Sequence, residues 1–473
     1  MEINSPASQR AGWPSALTLS NDQSLEFDGV DLVDLAKNYG TPLWALSRST
    51  IESNFTEIND SFRKYYENVE IAYSVKANNT FAVIRLLQSL GALMDCSAEY
   101  EFDLALEAGV LASNCIINGN GKSDRALENV VRRRVRQVNV DSLSEAIRIR
   151  GIAENLKSRI KCTVRVQLGY KRLLHLDPSF GSMLTVGEGK FGCSIETGEA
   201  LKAIETIVSS KYLDFIGLHH HVGFSGYMGE YEKEHELMHH RECAKELASF
   251  ATEIHNHTSA TVHTLNIGGG YRAGKFVLLS TPGDGTDGAL YEVPTADEYA
   301  KAVTDSLKIG LQIDPLPLLQ LELGSYPTAD AGIMLTKVTE VKDSIKMAKR
   351  YVVADAGMWT FISRGLMRVG YPVLLAKNPF APINSEWPVD ICGQVCVFDA
   401  VAEGIYLPDI ETGNILVYLH QGGYTETQST QFNSFPRPAT VLLDQGKVIE
   451  IRRRETLTDI TARNLLPEES PVR

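Results

Sequence analysis

Apolar residues recur at Ile51, Phe55, Ile58, Phe62 and Tyr65, steps of 4, 3, 4 and 3 that place all five on one helix face. The next apolar stretch, residues 69–75, is short and continuous, the pattern of a buried strand. Residues 81–90 return to helical periodicity and stop at Gly91, a C-terminal cap. The alternation continues through strands predicted at 92–96, 115–118, 135–140, 162–167, 215–221, 262–267 and 318–322, eight with the first. Eight short apolar strands separated by helical stretches over about 275 residues predict an α/β fold, a (β/α)8 TIM barrel rather than a doubly wound sheet.

Beyond residue 322 the texture changes. Segments at 351–354, 415–419, 440–443 and 448–451 are β-branched, short and separated by turn residues, which predicts a C-terminal antiparallel β domain. Residues 1–45 are too few for a domain of their own and are expected to add a strand to it. The predicted division is therefore a barrel at 46–316, with its last strand near 318–322, and a β domain built from 1–45 and 317–473. Residues 273–296, with Gly and Asp clustered at 282–288, read as a long inserted loop.

Composition acts chiefly by exclusion. The 473 residues carry 46 Lys+Arg against 59 Asp+Glu, a formal charge of −13. Binding to nucleic acid by counterion release needs basic patches, and the densest basic run, residues 132–136, reads as a solvated helix end. At 44% hydrophobic and 22% charged, the chain has the composition of a globular protein with a large core. No apolar run approaches the roughly 20 residues that cross a bilayer. Residues 1–15 lack the charged start and apolar core of a secretory signal, so a cytoplasmic address is expected. The seven cysteines are odd in number and show no metal-ligand spacing, which makes them reduced thiols, mostly core filler.

In a barrel of this kind the chemistry sits at the C-terminal ends of the strands. Those ends supply Lys76, Asp95, Arg165, His221, Gly268 to Gly270 and Glu322. A lysine closing an apolar strand is either a rim residue or, if desolvated, an amine freed for Schiff-base chemistry. A carboxylate in the place of Glu322 is costly without a partner, and a protonated pyridine nitrogen is one such partner. Gly268-Gly269-Gly270 offers N–H groups to a phosphate, although a tight turn explains such a run as well. His219-His220-His221 ends strand six; alternation sends His220 away from its neighbours, which disfavours a metal site and suits a single histidine against a flat cofactor.

These residues belong to a longer ordered set: Tyr39-Gly40-Thr41-Pro42-Leu43, Tyr73-Ser74-Val75-Lys76-Ala77-Asn78, Lys190-Phe191-Gly192, His219-His220-His221-Val222-Gly223, Gly268-Gly269-Gly270, Asp355-Ala356-Gly357-Met358, Gly393-Gln394-Val395-Cys396 and residues 432–438. In this order they resemble the fold type III pyridoxal-phosphate amino-acid decarboxylases, above all diaminopimelate decarboxylase and more distantly ornithine decarboxylase. The resemblance spans residues 30–455. It implies that Lys76 carries pyridoxal 5'-phosphate, that His221 stacks on its ring, and that Glu322 bonds the pyridine nitrogen and keeps it protonated. It also implies phosphate contacts from Gly268, Gly269, Gly270 and Tyr424, polar lining from Arg165, Asp95 and Glu101, and a homodimer in which Cys396 of each subunit returns a proton in its partner's site.

The chain also departs from the family's pattern. Where relatives read Glu-Pro-Gly-Arg, it has Glu322-Leu323-Gly324-Ser325, without the cation. Where relatives follow the cysteine with an acid that grips the substrate's distal amino group, it has Val397 and Phe398, with Asp399 the nearest acid. The serine expected after His-x-Gly is displaced by Phe224 to Ser225. Arg364 and Met367 stand where relatives carry an arginine and a tyrosine, and Arg364 keeps a carboxylate-bearing substrate open. The expectation is a decarboxylase acting on an amino acid, with an altered distal-group pocket, such as a specialised-metabolite or siderophore precursor. Two alternatives are a racemase or epimerase on the same fold, against which Cys396 argues, and a non-catalytic regulatory paralogue.

Overall fold

The computed structural model describes residues 13–168, 190–223, 233–258, 260–274, 276–280, 287–362 and 370–466. They form two compact units: residues 50–277 with 290–329, and residues 1–49 with 278–289 and 330–473.

The first unit is the barrel. Its strands are β1 (Val69–Ser74), β2 (Leu93–Cys96), β3 (Cys115–Ile117), β4 (Gln137–Val140), β5 (Ile160–Gln167), β6 (Leu213–His219), β7 (Thr264–Asn266) and β8 (Leu318–Leu323). Each pairs in parallel with the next, and β8 pairs with β1, so the sheet closes. The predicted strands are therefore all present, and the helical stretches lie between them. Helix α1 (Arg48–Tyr65) buries Ile51, Phe55, Ile58 and Phe62, the face given by the apolar spacing. Helix α2 (Phe81–Ser89) ends at Leu90, followed by Gly91 at φ +97°, a left-handed cap that glycine adopts without strain. Among the described residues no helix is long and apolar enough to cross a membrane.

Closure demands one very close approach. In β6 the register slips at a bulge between Phe215 and Gly217, and a Cβ on Gly217 would overlap the Thr264 carbonyl oxygen of β7. Gly217→Ala is expected to destabilise the barrel by about 1–3 kcal/mol through overpacking, read as a lower midpoint of denaturant unfolding. An unchanged midpoint would show that β6 and β7 can separate at no cost.

The second unit is β-rich. Leu43–Ser47 lies between Gly332–Ser344, with which it pairs antiparallel, and Ala439–Asp444, with which it pairs parallel. Its alternate residues face two cores: Trp44 packs with Met334, Val352 and Tyr418, and Leu43 and Ala45 with Ile333, Val417 and Val441. Two covered faces explain why this strand is apolar from Leu43 to Leu46 rather than alternating. The sheet is mostly antiparallel, with a second parallel pair between Lys349–Ala354 and Val389–Cys392. Residues 17–31 add a separate three-stranded sheet, and a helix follows at Leu32–Tyr39. The inserted loop expected at 273–296 contains two paired strands, Phe276–Ser280 and Asp287–Glu292. The aromatic and aliphatic residues flanking the Gly/Asp cluster favour that pairing.

Candidate active site

Within the barrel, the C-terminal strand ends bring Lys76, Asp95, Arg165, His221, Gly268 to Gly270 and Glu322 to one end. Lys76 follows β1, and its Nζ lies 2.9 Å from Asp95 Oδ2 and 3.1 Å from Ser97 Oγ. Asp95 is fully buried in β2, directly opposite Ser74 in register. It accepts from Ser74 Oγ at 2.6 Å and from Asn118 Nδ2 at 2.5 Å. These donors satisfy the buried carboxyl and aim one oxygen at the lysine amine. Glu101, in the first turn of the helix Glu99–Glu107, accepts the Ser97 N–H at 2.7 Å. Burial raises its carboxyl above the ordinary value, against the Ser97 bond and the charge of Lys76.

Glu322 is 2% exposed and held by four strands' worth of donors. Its Oε1 accepts from the amides of Asn118 at 2.7 Å, Asn266 at 2.8 Å and Asn139 at 3.3 Å. Its Oε2 meets only His219 Nε2, at 3.3 Å, among the described residues. Burial alone would raise the carboxyl. The charge and hydrogen bond of His219, with the charge of Lys76, outweigh it and hold Glu322 well below the usual carboxylate range. Behind this clasp, Asn139 Oδ1 accepts from Thr163 Oγ1 and Gln137 Nε2, and Asn139 Nδ2 donates to Asn118 Oδ1 at 2.6 Å.

His221 accepts the Gly223 N–H on Nδ1 at 2.9 Å, leaving Nε2 to carry the proton of the neutral ring. Burial, with the charges of Arg165, Lys76 and His219 beside it, pushes its pKa far below the ordinary histidine value. Gly269 lies against this ring: an added Cβ would overlap the Glu322 carbonyl oxygen and stand 3.3 Å from His221 Nε2. Gly268 and Gly270 have φ of +69° and +104°, so the turn itself requires glycine. Arg165 lies 3.9 Å from Asp141, its guanidinium carbon 4.5 Å from the Phe191 ring centre. Burial draws its pKa down, partly offset by Asp141, Glu322 and Asp95. His220 turns away to the Val166 carbonyl, and no cluster of metal-binding groups exists among the described residues.

The remaining candidates belong to the β-rich unit. Cys396 is the one exposed thiol of seven; its Sγ donates to Asn433 Oδ1 at 3.4 Å. Val397 and Phe398 beside it are 49% and 65% exposed. Asp399 is 2% exposed: its Oδ1 accepts the Gly393 N–H at 3.1 Å, and Oδ2 packs against Gly357 and Gly393. Tyr424 is half-buried with φ +59°, a left-handed backbone uncommon for tyrosine. Ser225 and Arg364, with Phe224 and Met367, lie outside the described residues.

Reading strand ends alone passed over Ser97, Asn118, Asn139 and Asn266, and took up His219 only within the triplet that ends strand six. The signal was present: Gln137 and Asn139 alternate in a four-residue strand, and Asn266 stands between Leu265 and Ile267.

The residues fit pyridoxal phosphate. A buried, ionised carboxylate with one oxygen lightly bonded suits a protonated ring nitrogen. A neutral histidine beside a residue that cannot carry a Cβ suits a flat ring, and an amine held at a strand end suits the carbonyl carbon. A sequence model of the family described as pyridoxal-dependent decarboxylase, pyridoxal binding domain, matches residues 48–329. The diaminopimelate decarboxylase of Methanothermobacter thermautotrophicus is 29% identical over 446 residues, covering 93% of this chain and 95% of its own. The crystal structure of the M. jannaschii diaminopimelate decarboxylase is similar with a TM-score of 0.83 at 26% identity, over 96% of this chain and 99% of its own. The same enzyme in complex with L-lysine gives a TM-score of 0.82 at 25% identity, over 96% and 98%.

Proposed function

Since the chain belongs to the pyridoxal-dependent decarboxylase family, as an amino-acid carboxy-lyase of the diaminopimelate and ornithine decarboxylase type, we propose that its own substrate carries a distal group other than the ammonium those two substrates present. The observation that carries this reading is the segment after Cys396. Val397 and Phe398 stand there, both exposed, while Asp399 is turned inward and spent on Gly393. A distal ammonium set against two apolar side chains loses its water without gaining a partner, at a cost of roughly several kcal/mol.

In this reading, bound pyridoxal phosphate supplies the sink for the electron pair left when carbon dioxide departs. The chain's own residues prepare that step. Lys76 carries the cofactor, with Asp95 and Ser97 fixing the amine's position. Glu322 keeps the proton on the ring nitrogen, and the neutral His221 covers one face of the ring. Gly268 to Gly270 and Tyr424 receive the phosphate. Cys396, supplied by a second copy of the chain in a cytoplasmic homodimer, returns the proton to the carbon that lost its carboxylate. The exposure of this one thiol, flanked by two exposed apolar residues, supports a role completed by a partner.

The test is a panel of amino acids of both configurations scored for carbon dioxide release. Diaminopimelate and ornithine are expected to give kcat/KM at least about 10²-fold below the best substrate, equivalent to roughly 3 kcal/mol. Diaminopimelate as the best substrate would overturn the altered pocket. Cys396→Ala is expected to retain bound cofactor while slowing turnover by about 10²- to 10⁴-fold, the worth of a positioned proton donor. Unchanged turnover would remove Cys396 from the reaction.

A further inference from the structure

Behind the glycine turn lies a buried polar ring that nothing above employs. Helix Lys233–His257 contributes Glu236, helix Ala296–Gly310 contributes Tyr299, and the chain leaving the turn contributes Arg272. The Arg272 backbone N–H donates to Tyr299 Oη at 3.3 Å, Tyr299 Oη donates to Glu236 Oε1, and Arg272 Nε donates to Glu236 Oε2 at 3.1 Å. Residue 272 is thus tied twice to one carboxylate, directly and through a phenol. All three side chains are buried. An ion pair this far from water stabilises a fold little better than apolar residues of the same size would. What it adds is a fixed position.

That position is the turn's. Tyr271 stacks on His240 with ring centres 4.7 Å apart, and Tyr299 meets both rings edge-on. Gly270 packs so tightly that a Cβ would overlap the Gly223 carbonyl oxygen and lie 3.6 Å from His240. Only Tyr271 separates Arg272 from Gly270, too short a span for the clasp to shift without moving the turn. Resting on the reading of Gly268 to Gly270 as the phosphate site, we infer that Glu236, Arg272 and Tyr299 are positioning residues that hold this turn in register for the phosphate of the cofactor.

The cofactor-free protein, titrated separately with pyridoxal phosphate and with pyridoxal, tests this by visible absorbance. Tyr299→Phe and Glu236→Gln are each expected to weaken pyridoxal phosphate by about tenfold, the worth of one hydrogen bond to a charged group, and to leave pyridoxal within about twofold of wild type. Tyr299→Phe removes a single oxygen, so the test survives if Glu236→Gln fails to fold. Equal weakening of both compounds would reduce the clasp to a structural element, and no weakening of either would remove it from cofactor binding. A wild-type protein that binds the two compounds equally would overturn the phosphate reading of the turn instead.

Discussion

Lys76→Ala is expected to abolish the visible absorbance that the wild-type protein shows with pyridoxal phosphate, and to bring carbon dioxide release down to background. The amine stands at the end of β1 on a short leash, 2.9 Å from a carboxylate that is itself wholly buried and fed by Ser74 and Asn118. That arrangement holds the nitrogen in one place before any ligand arrives, which is how preorganised groups lower a barrier. Alanine removes the only atom able to bond the cofactor covalently at this position. Soluble, folded Lys76→Ala protein that keeps the wild-type spectrum would refute the assignment of Lys76. Asp95→Asn is the useful companion, since it removes the charge and leaves the lysine in place.

Glu322→Gln is expected to leave cofactor bound while lowering kcat by about 10²- to 10³-fold, the scale on which a single preorganised electrostatic contact is lost. The amide cannot hold a proton on the ring nitrogen as a carboxylate does. It also turns an acceptor-only group into one bearing donors, opposite the donating amides of Asn118, Asn139 and Asn266. The substitution has a second readout in the cofactor-free protein. A carboxyl held below its ordinary value in the folded state contributes stability that is present above its unfolded value, near 4.5, and lost as the pH falls toward the folded value. The wild-type protein should therefore lose stability on acidification below about pH 4.5 more steeply than Glu322→Gln. Superimposable acid unfolding curves would show that Glu322 is not held ionised.

Much of this was legible in the sequence because a barrel binds chemistry to one kind of position. Lys76, Asp95, Arg165 and Glu322 are polar residues interrupting apolar strands near their C-terminal ends, and burial makes such interruptions expensive unless they serve a site. The amide clasp was not anticipated because its members lie within or just after strands and recognise one another across the barrel interior, a relation that local periodicity does not carry. Pairings in the β-rich unit were hidden for a similar reason: that Leu43–Ser47 runs parallel to Ala439–Asp444 depends on chain segments nearly 400 residues apart. The paired strands at Phe276–Ser280 and Asp287–Glu292 were passed over because the Gly/Asp cluster between them dominates the composition. The ring of Glu236, Arg272 and Tyr299 lay outside every motif, and geometry alone reveals it.

The grip on Glu322 also sets when the protein can begin to use its cofactor. Its carboxylate comes from β8, the last barrel strand made, and its donors come from β4, β6 and β7 and from the residue after β3. Neither the first four strands nor the last four contain the whole set. A growing chain, or a fragment ending before residue 322, has the lysine and nothing to complete the opposite end of the ring site. Turnover is therefore a report of barrel closure: in refolding, the return of carbon dioxide release should follow the closing of β8 onto β1 and never precede it.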